Sequence, residues 1–127
     1  LPFDNQVVTM TLSGQDLLEV LTTSASLRRG VLQISGGSYT FANRSSDDFD
    51  LKDVTVGGKP LDPAQVYKVA VNSFLAEGGD EFRGFKRGRS REYGPIQREV
   101  VKTCIIRRCA SGPIELSTNN RIIKETP

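Results

Sequence analysis

Apolar and polar positions alternate cleanly near the start of the chain. Val8, Met10 and Leu12 fall on one side, and Val7, Thr9 and Thr11 on the other, which predicts a strand. The period then changes. Ser13 and Asp16 stand three apart ahead of Leu17, Leu18, Val20 and Leu21, a capping-box variant in which hydroxyl and carboxylate can each satisfy an orphan backbone N–H, so a short helix is expected over about 14–23. Val31–Ser35 and Tyr39–Ala42 read as strand segments interrupted by Gly36-Gly37. That pair fits a two-residue turn or a bulge, and the bulge in one long strand is favoured. Asn43–Asp50 is a polar, acidic surface loop that carries an Asn43-Arg44-Ser45 acceptor sequon. After it, Leu51–Val56, Gly57-Gly58 and Lys59-Pro60-Leu61 form a hairpin.

The strand predicted over Val66–Val71 ends at Asn72-Ser73-Phe74 and a Gly78-Gly79-Asp80 corner closed by Phe82. Tandem glycines permit positive φ and close backbone approach, a carboxylate accepts hydrogen bonds from hydroxyls, and an aromatic offers a flat apolar face. The same residues equally fit a core phenylalanine followed by a plain turn, and the pattern leaves both readings open. Further on, Pro95 is placed as a first helical residue. Ile96, Val100, Val101, Cys104 and Ile105 follow at amphipathic spacing, predicting a helix over about 95–107 packed on a sheet. Ile114–Leu116 and Arg121–Lys124 are candidate closing strands. The expected class is α+β, with mixed sheets and two main helices packed on them, in a single domain spanning residues 1–127.

Composition then narrows the chemistry. The 127 residues carry 17 basic and 15 acidic side chains, a balance that implies no general polyanion partner, and no apolar run is long enough to span a membrane. Histidine is absent. That excludes Ser-His-Asp and Cys-His catalytic sets, and it argues against a dinuclear phosphoesterase centre, so no metal or other cofactor is expected in this chain. Cys104 is expected in the core face of the second helix. A bridge to Cys109 would require that helix to end near Arg107 or Arg108, because bridged Cα atoms lie within roughly 7 Å. The start at Leu1-Pro2-Phe3, without methionine, reads as a piece of something longer.

Between Arg83 and Tyr93 five basic residues (Arg83, Lys86, Arg87, Arg89, Arg91) stand against Glu92, with Phe85 and Tyr93 interleaved. A stretch of this kind is ordinarily a solvated loop. It also supports an alternative function, a non-enzymatic interaction module in which this loop binds nucleic acid or an acidic protein. One or two of its arginines could instead face the anionic end of a nucleotide.

The opening Leu-Pro-Phe-Asp-Asn, the Val56-Gly-Gly-Lys-Pro-Leu-Asp-Pro segment with Tyr67-Lys-Val-Ala, and Asn72-Ser-Phe-Leu-Ala-Glu-Gly-Gly-Asp80 resemble the C-terminal, substrate-binding domain of the 5′-nucleotidase and UDP-sugar hydrolase family. The likeness runs from Leu1 to about Ile106. It implies a 5′-nucleotidase C-terminal-domain-like fold, truncated at its N-terminus. It also implies a nucleotide or nucleoside ligand whose base lies between two phenylalanines, matched by motif to Phe3 and Phe74. Gly78 and Gly79 would line the site, and Asp80 would hold the ribose hydroxyls. In that family two divalent metal ions sit in a separate N-terminal metallophosphoesterase domain. The resemblance therefore implies that domain as partner, phosphate-ester hydrolysis by the full-length protein, no catalysis by this chain alone, and a periplasmic, secreted or cell-surface location. Two departures stand out: the family's upstream Gly-Gly-x-Arg segment has no counterpart here, and Glu81 follows Asp80 where the family often has glycine.

Overall fold

A computed structural model describes residues 3–26, 31–43 and 49–125. These fall into two compact units, one built from residues up to Thr11 together with Lys68–Thr118, the other from Leu12–Tyr67 together with the chain from Asn119 onward.

In the first unit, β1 (Gln6–Ser13) is the middle strand of a three-stranded sheet, between β5 (Val66–Asn72) and β6 (Arg89–Ile96). β1 and β6 run antiparallel, with Gln6 opposite Ile96, Val8 opposite Tyr93 and Thr11 opposite Arg89. The alternation seen in the sequence is the alternation of burial, since Val8 and Met10 are closed off from solvent. Asn72 ends β5 and caps the single-turn helix α2 (Ser73–Ala76), its side-chain oxygen accepting from the Leu75 N–H at 2.9 Å. Two 3₁₀ turns follow, Gly79–Glu81 and Arg83–Arg87. Phe82 and Phe85 are buried there as a tilted pair with ring centroids 6.1 Å apart.

The helix expected over 95–107 begins two residues later, as α3 (Gln97–Cys109). Pro95 lies in β6, where the ladder to β1 continues to Ile96, and the ring's fixed φ suits an extended chain. Nor is α3 buried on any side: Val100, Val101, Ile105 and Ile106 are all exposed, and so is Cys104, which the spacing had placed in the core. Amphipathic spacing shows which residues share a face, not that a surface lies opposite them, and Arg98, Lys102, Arg107 and Arg108 interrupt the apolar positions. Cys104 and Cys109 are both free thiols.

In the second unit, α1 (Gly14–Ser26) starts where Ser13 predicts. The Ser13 hydroxyl accepts from the Asp16 N–H at 3.1 Å and donates to the Asp16 carboxylate at 2.7 Å. Its sheet has the order β4-β3-β2-β7, made of Lys59–Pro60, Phe49–Val56, Gly37–Asn43 and Ile122–Lys124. β2 pairs antiparallel with β3 and parallel with β7, so the sheet is mixed. Leu21 and Ala25 of α1 pack with Tyr39 and Phe41 of β2, and Leu17, Leu51, Val54 and Ile122 close the cluster. The Gly57-Gly58 hairpin turn has both residues at positive φ, as a primed turn requires.

Three expectations change. Residues 31–34 form no strand, and Gly36, at φ +84, makes a bend into β2 instead of a bulge. Leu32 donates instead to the buried Ser24 hydroxyl at 2.9 Å, so helix and segment are joined by a side chain in place of a ladder. Ile114–Leu116 is not a strand either; β7 alone closes the chain. Arg28, Arg29 and most of the predicted acidic loop, including Arg44 and Ser45 of the sequon, lie outside the described residues.

Candidate functional site

Four of the five residues singled out in the sequence form one corner at the end of β5. α2 is too short to persist by itself, and it turns the chain so that Phe74 stands on its first turn with half of its surface in solvent. The two glycines have separate tasks. Gly78 supplies the left-handed backbone, at φ +84, that ends the helical turn. Gly79 supplies room: a methyl group there would come within 2.6–2.7 Å of three carbons of the Phe74 ring, so the ring lies directly against the Gly79 backbone. Phe74 is thus braced from below and open elsewhere, unlike the enclosed Phe82 and Phe85.

Asp80 and Glu81 also have positive φ, +53 and +69. Left-handed backbone at two successive non-glycine residues stores strain of about 1–3 kcal/mol each, the kind of cost that clusters at ligand sites. Both carboxylates are exposed. On the other side of the corner the aliphatic stem of Lys86 covers Gly78, its Cδ 2.9 Å from where a β-carbon would be.

Phe3 is more open still, with 71% of its surface exposed. Its segment is tied down just beyond it. Asp4 accepts from the Arg98 guanidinium at 2.6 Å, Asn5 O accepts from the Gln97 N–H at 2.7 Å, and Gln6 N–H donates to the Ser73 hydroxyl at 3.0 Å, one residue from Phe74. Hydrogen bonding to Asp4, with its charge, raises the Arg98 pKa above its already high ordinary value. Phe3 and Phe74 therefore both present apolar rings to solvent.

The basic stretch is not a free loop. Arg83–Arg87 is a 3₁₀ turn and Arg89 onward is β6. Arg91 is turned inward, donating to Glu77 Oε1 (3.1 Å), Phe85 O (2.8 Å) and Gly88 O (3.3 Å), while the Tyr93 hydroxyl donates to the same Glu77 oxygen at 2.8 Å. Sequence reasoning missed Glu77, Arg91 and Tyr93 as members of the corner. The signal available was the strand period, which puts 91 and 93 on one face of β6.

Among the described residues no three His, Cys, Asp or Glu side chains gather to hold a metal, and no helix is long and apolar enough to cross a membrane. The donor set does not fit a dinuclear centre, because the chain has no histidine at all.

Comparison with known proteins places this geometry in context. A family model described as "5′-nucleotidase, C-terminal domain" matches residues 1–87. Among curated relatives, a Listeria monocytogenes cell wall protein is 40% identical over 90 residues, covering 68% of this chain and 12% of its own length. Protein UshA of Escherichia coli is 34% identical over 122 residues, covering 91% of this chain and 20% of its own. The crystal structure of a 5′-nucleotidase precursor from Thermus thermophilus superposes with a TM-score of 0.84 at 29% identity, over 98% of this chain and 26% of that one. The chain thus spans between about an eighth and a quarter of the length of these similar proteins.

Proposed function

The chain belongs to the 5′-nucleotidase C-terminal domain family, and on that premise we propose that it is the nucleoside- or nucleotide-binding domain of a metal-dependent 5′-nucleotidase-type hydrolase. Phe74 and Phe3 hold the base between their faces, Gly78 and Gly79 shape the floor, and Asp80 accepts hydrogen bonds from the ribose hydroxyls. One observation carries the reading: the half-exposed Phe74 ring rests on a glycine whose replacement by any larger residue would push the ring from its place, beside an exposed carboxylate on strained backbone. A ring kept rigid and open costs stability in water unless something covers it, and a nucleobase has a matching flat face. The work of this chain is orientation. Hydrolysis belongs to a companion metallophosphoesterase domain carrying two divalent ions, and no step of it runs through residues described here. Resemblance to a relative named as a cell wall protein supports a cell-surface, secreted or periplasmic setting.

Calorimetric titration with adenosine tests this. Phe74→Ala is expected to weaken binding by about 1–3 kcal/mol, the scale of a base stacked on an aromatic, with little change in Tm. Phe3→Ala should act in the same direction. Asp80→Asn should weaken adenosine while leaving free adenine unchanged. Equal adenosine affinity for parent and Phe74→Ala would end the reading. A salt series discriminates against polyanion binding through Arg83, Lys86 and Arg89, which should weaken steeply with salt where stacking does not.

A further inference from the structure

Glu77 sits where α2 ends, between Phe74 and Gly78, and its carboxylate is held by two donors that both come from β6. Arg91 does more than pair with it. Its other two guanidinium nitrogens reach Phe85 O, the carbonyl that also accepts from Gly88 N–H, and Gly88 O. A single planar fork therefore ties the end of the Phe74 turn and the end of the following 3₁₀ turn to one strand of the sheet. Its side chain is only 21% exposed, while that of Glu77 is 63% exposed. The segment between those ties contains Gly78, Gly79 and Asp80, and its backbone is left-handed at Gly78, Asp80 and Glu81. Strained backbone persists only where its surroundings over-determine it, and the fork donated by Arg91 lies at both ends of this stretch.

We propose that Arg91 is a positioning residue for the ligand site, which it presets by fixing the Glu77 end of the Phe74 turn against β6; the Tyr93 hydroxyl assists on the same carboxylate oxygen. The inference rests on the nucleoside reading above. It explains why one arginine of the basic stretch is withdrawn from solvent. Lysine could not substitute, because an ammonium on a flexible stem has no rigid fork with which to meet a carboxylate and two carbonyls at once. Presetting acts on affinity by removing the ordering cost that binding would otherwise carry.

The test compares Arg91→Ala, Arg91→Lys and Tyr93→Phe in the full chain, titrated with adenosine and with adenine, alongside Tm and amide hydrogen exchange at 75–81. Arg91→Ala is expected to weaken both ligands, adenosine by about three- to tenfold and adenine by less, because the ring that both stack on and the carboxylate that only adenosine uses are displaced together, and to speed exchange across 75–81. Arg91→Lys should recover only part of this. Tyr93→Phe, which removes one exposed hydroxyl and leaves folding intact, should weaken binding about twofold and keeps the question answerable if Arg91→Ala does not fold. A site that depends on Phe74 but binds equally well in all three variants would overturn the positioning role, as would unchanged exchange at 75–81. If Phe74→Ala itself binds like the parent, the nucleoside reading falls and this inference with it, an outcome distinct from a working site indifferent to Arg91.

Discussion

At the scale of single residues, buried hydroxyls in the second unit make a pH-dependent contribution. Ser24 and Tyr39 are enclosed and 3.2 Å apart, and Ser24 also accepts from Leu32 N–H. Burial raises the Tyr39 pKa above its ordinary 10.0, and the bond to Ser24 pulls it partly back. A folded-state pKa above the unfolded one means that, once pH passes the unfolded value, the unfolded chain binds fewer protons than the folded one. Stability is then full below about pH 10 and falls above it. Urea denaturation at stepped pH should show this fall in the parent and a flatter profile in Tyr39→Phe, which keeps the ring and removes the proton. A different residue-scale lesson comes from the glycine pair. Tandem glycines announce a special backbone, but only the structure separates Gly78, needed for its dihedral angles, from Gly79, needed for the space its missing side chain leaves to Phe74. The strand period could put Arg91 beside Tyr93, but the pairing of Arg91 with Glu77 was illegible, since nothing local pairs residues fourteen positions apart.

Elements were legible where their reasons are local. β1 follows from alternation, α1 from its cap, the hairpin from Gly57-Gly58, and the Phe74 corner from Asn72 and the glycines. They were illegible where the reason is tertiary. Pro95 fits a helix start equally well, and pairing with β1 decides for a strand. Segment 31–34 has strand-forming residues, but its amide at Leu32 is claimed by Ser24. The openness of α3 has a measurable consequence. Val101 is 40% exposed, so Val101→Asp should shift stability by no more than about 0.5 kcal/mol, as surface changes do. Leu21→Ala on α1, at 7% exposure within the packed cluster, should cost about 2–5 kcal/mol. Thermal melts of the two variants against the parent check the contrast, and a large loss in Val101→Asp would mean that α3 is covered in solution.

At the scale of the whole molecule, the absence of histidine and the family relationship argue in the same direction. The chain is expected to release no phosphate from AMP, ADP or UDP-glucose on addition of Mn²⁺, Zn²⁺ or Co²⁺, measured by phosphate assay on a phosphatase-free preparation. Metal-dependent turnover would move hydrolysis into this chain. Family and fold class were open to reading because LPFDN and NSFLAEGGD are specific strings. The split into two compact units was not, since two of the three points where the chain passes between them fall inside continuous strands, after Thr11 in β1 and after Tyr67 in β5, where no linker composition marks a boundary.

The parallel pairing of β7 with β2 does more than lengthen a sheet. Tyr39 N–H donates to Arg121 O at 2.8 Å, Glu125 N–H donates to Phe41 O at 2.9 Å, and Lys52 fastens Glu125 with a 2.9 Å ion pair. Without those residues, the strand Gly37–Asn43, which carries Tyr39, Thr40 and Phe41, would offer a bare row of amides and carbonyls to any other extended chain, which is how edge strands template aggregation. In their place stands a three-residue strand ending in a lysine, too short and too charged to recruit another. By pairing with β2, that short strand removes the template which β2 would otherwise present to another chain.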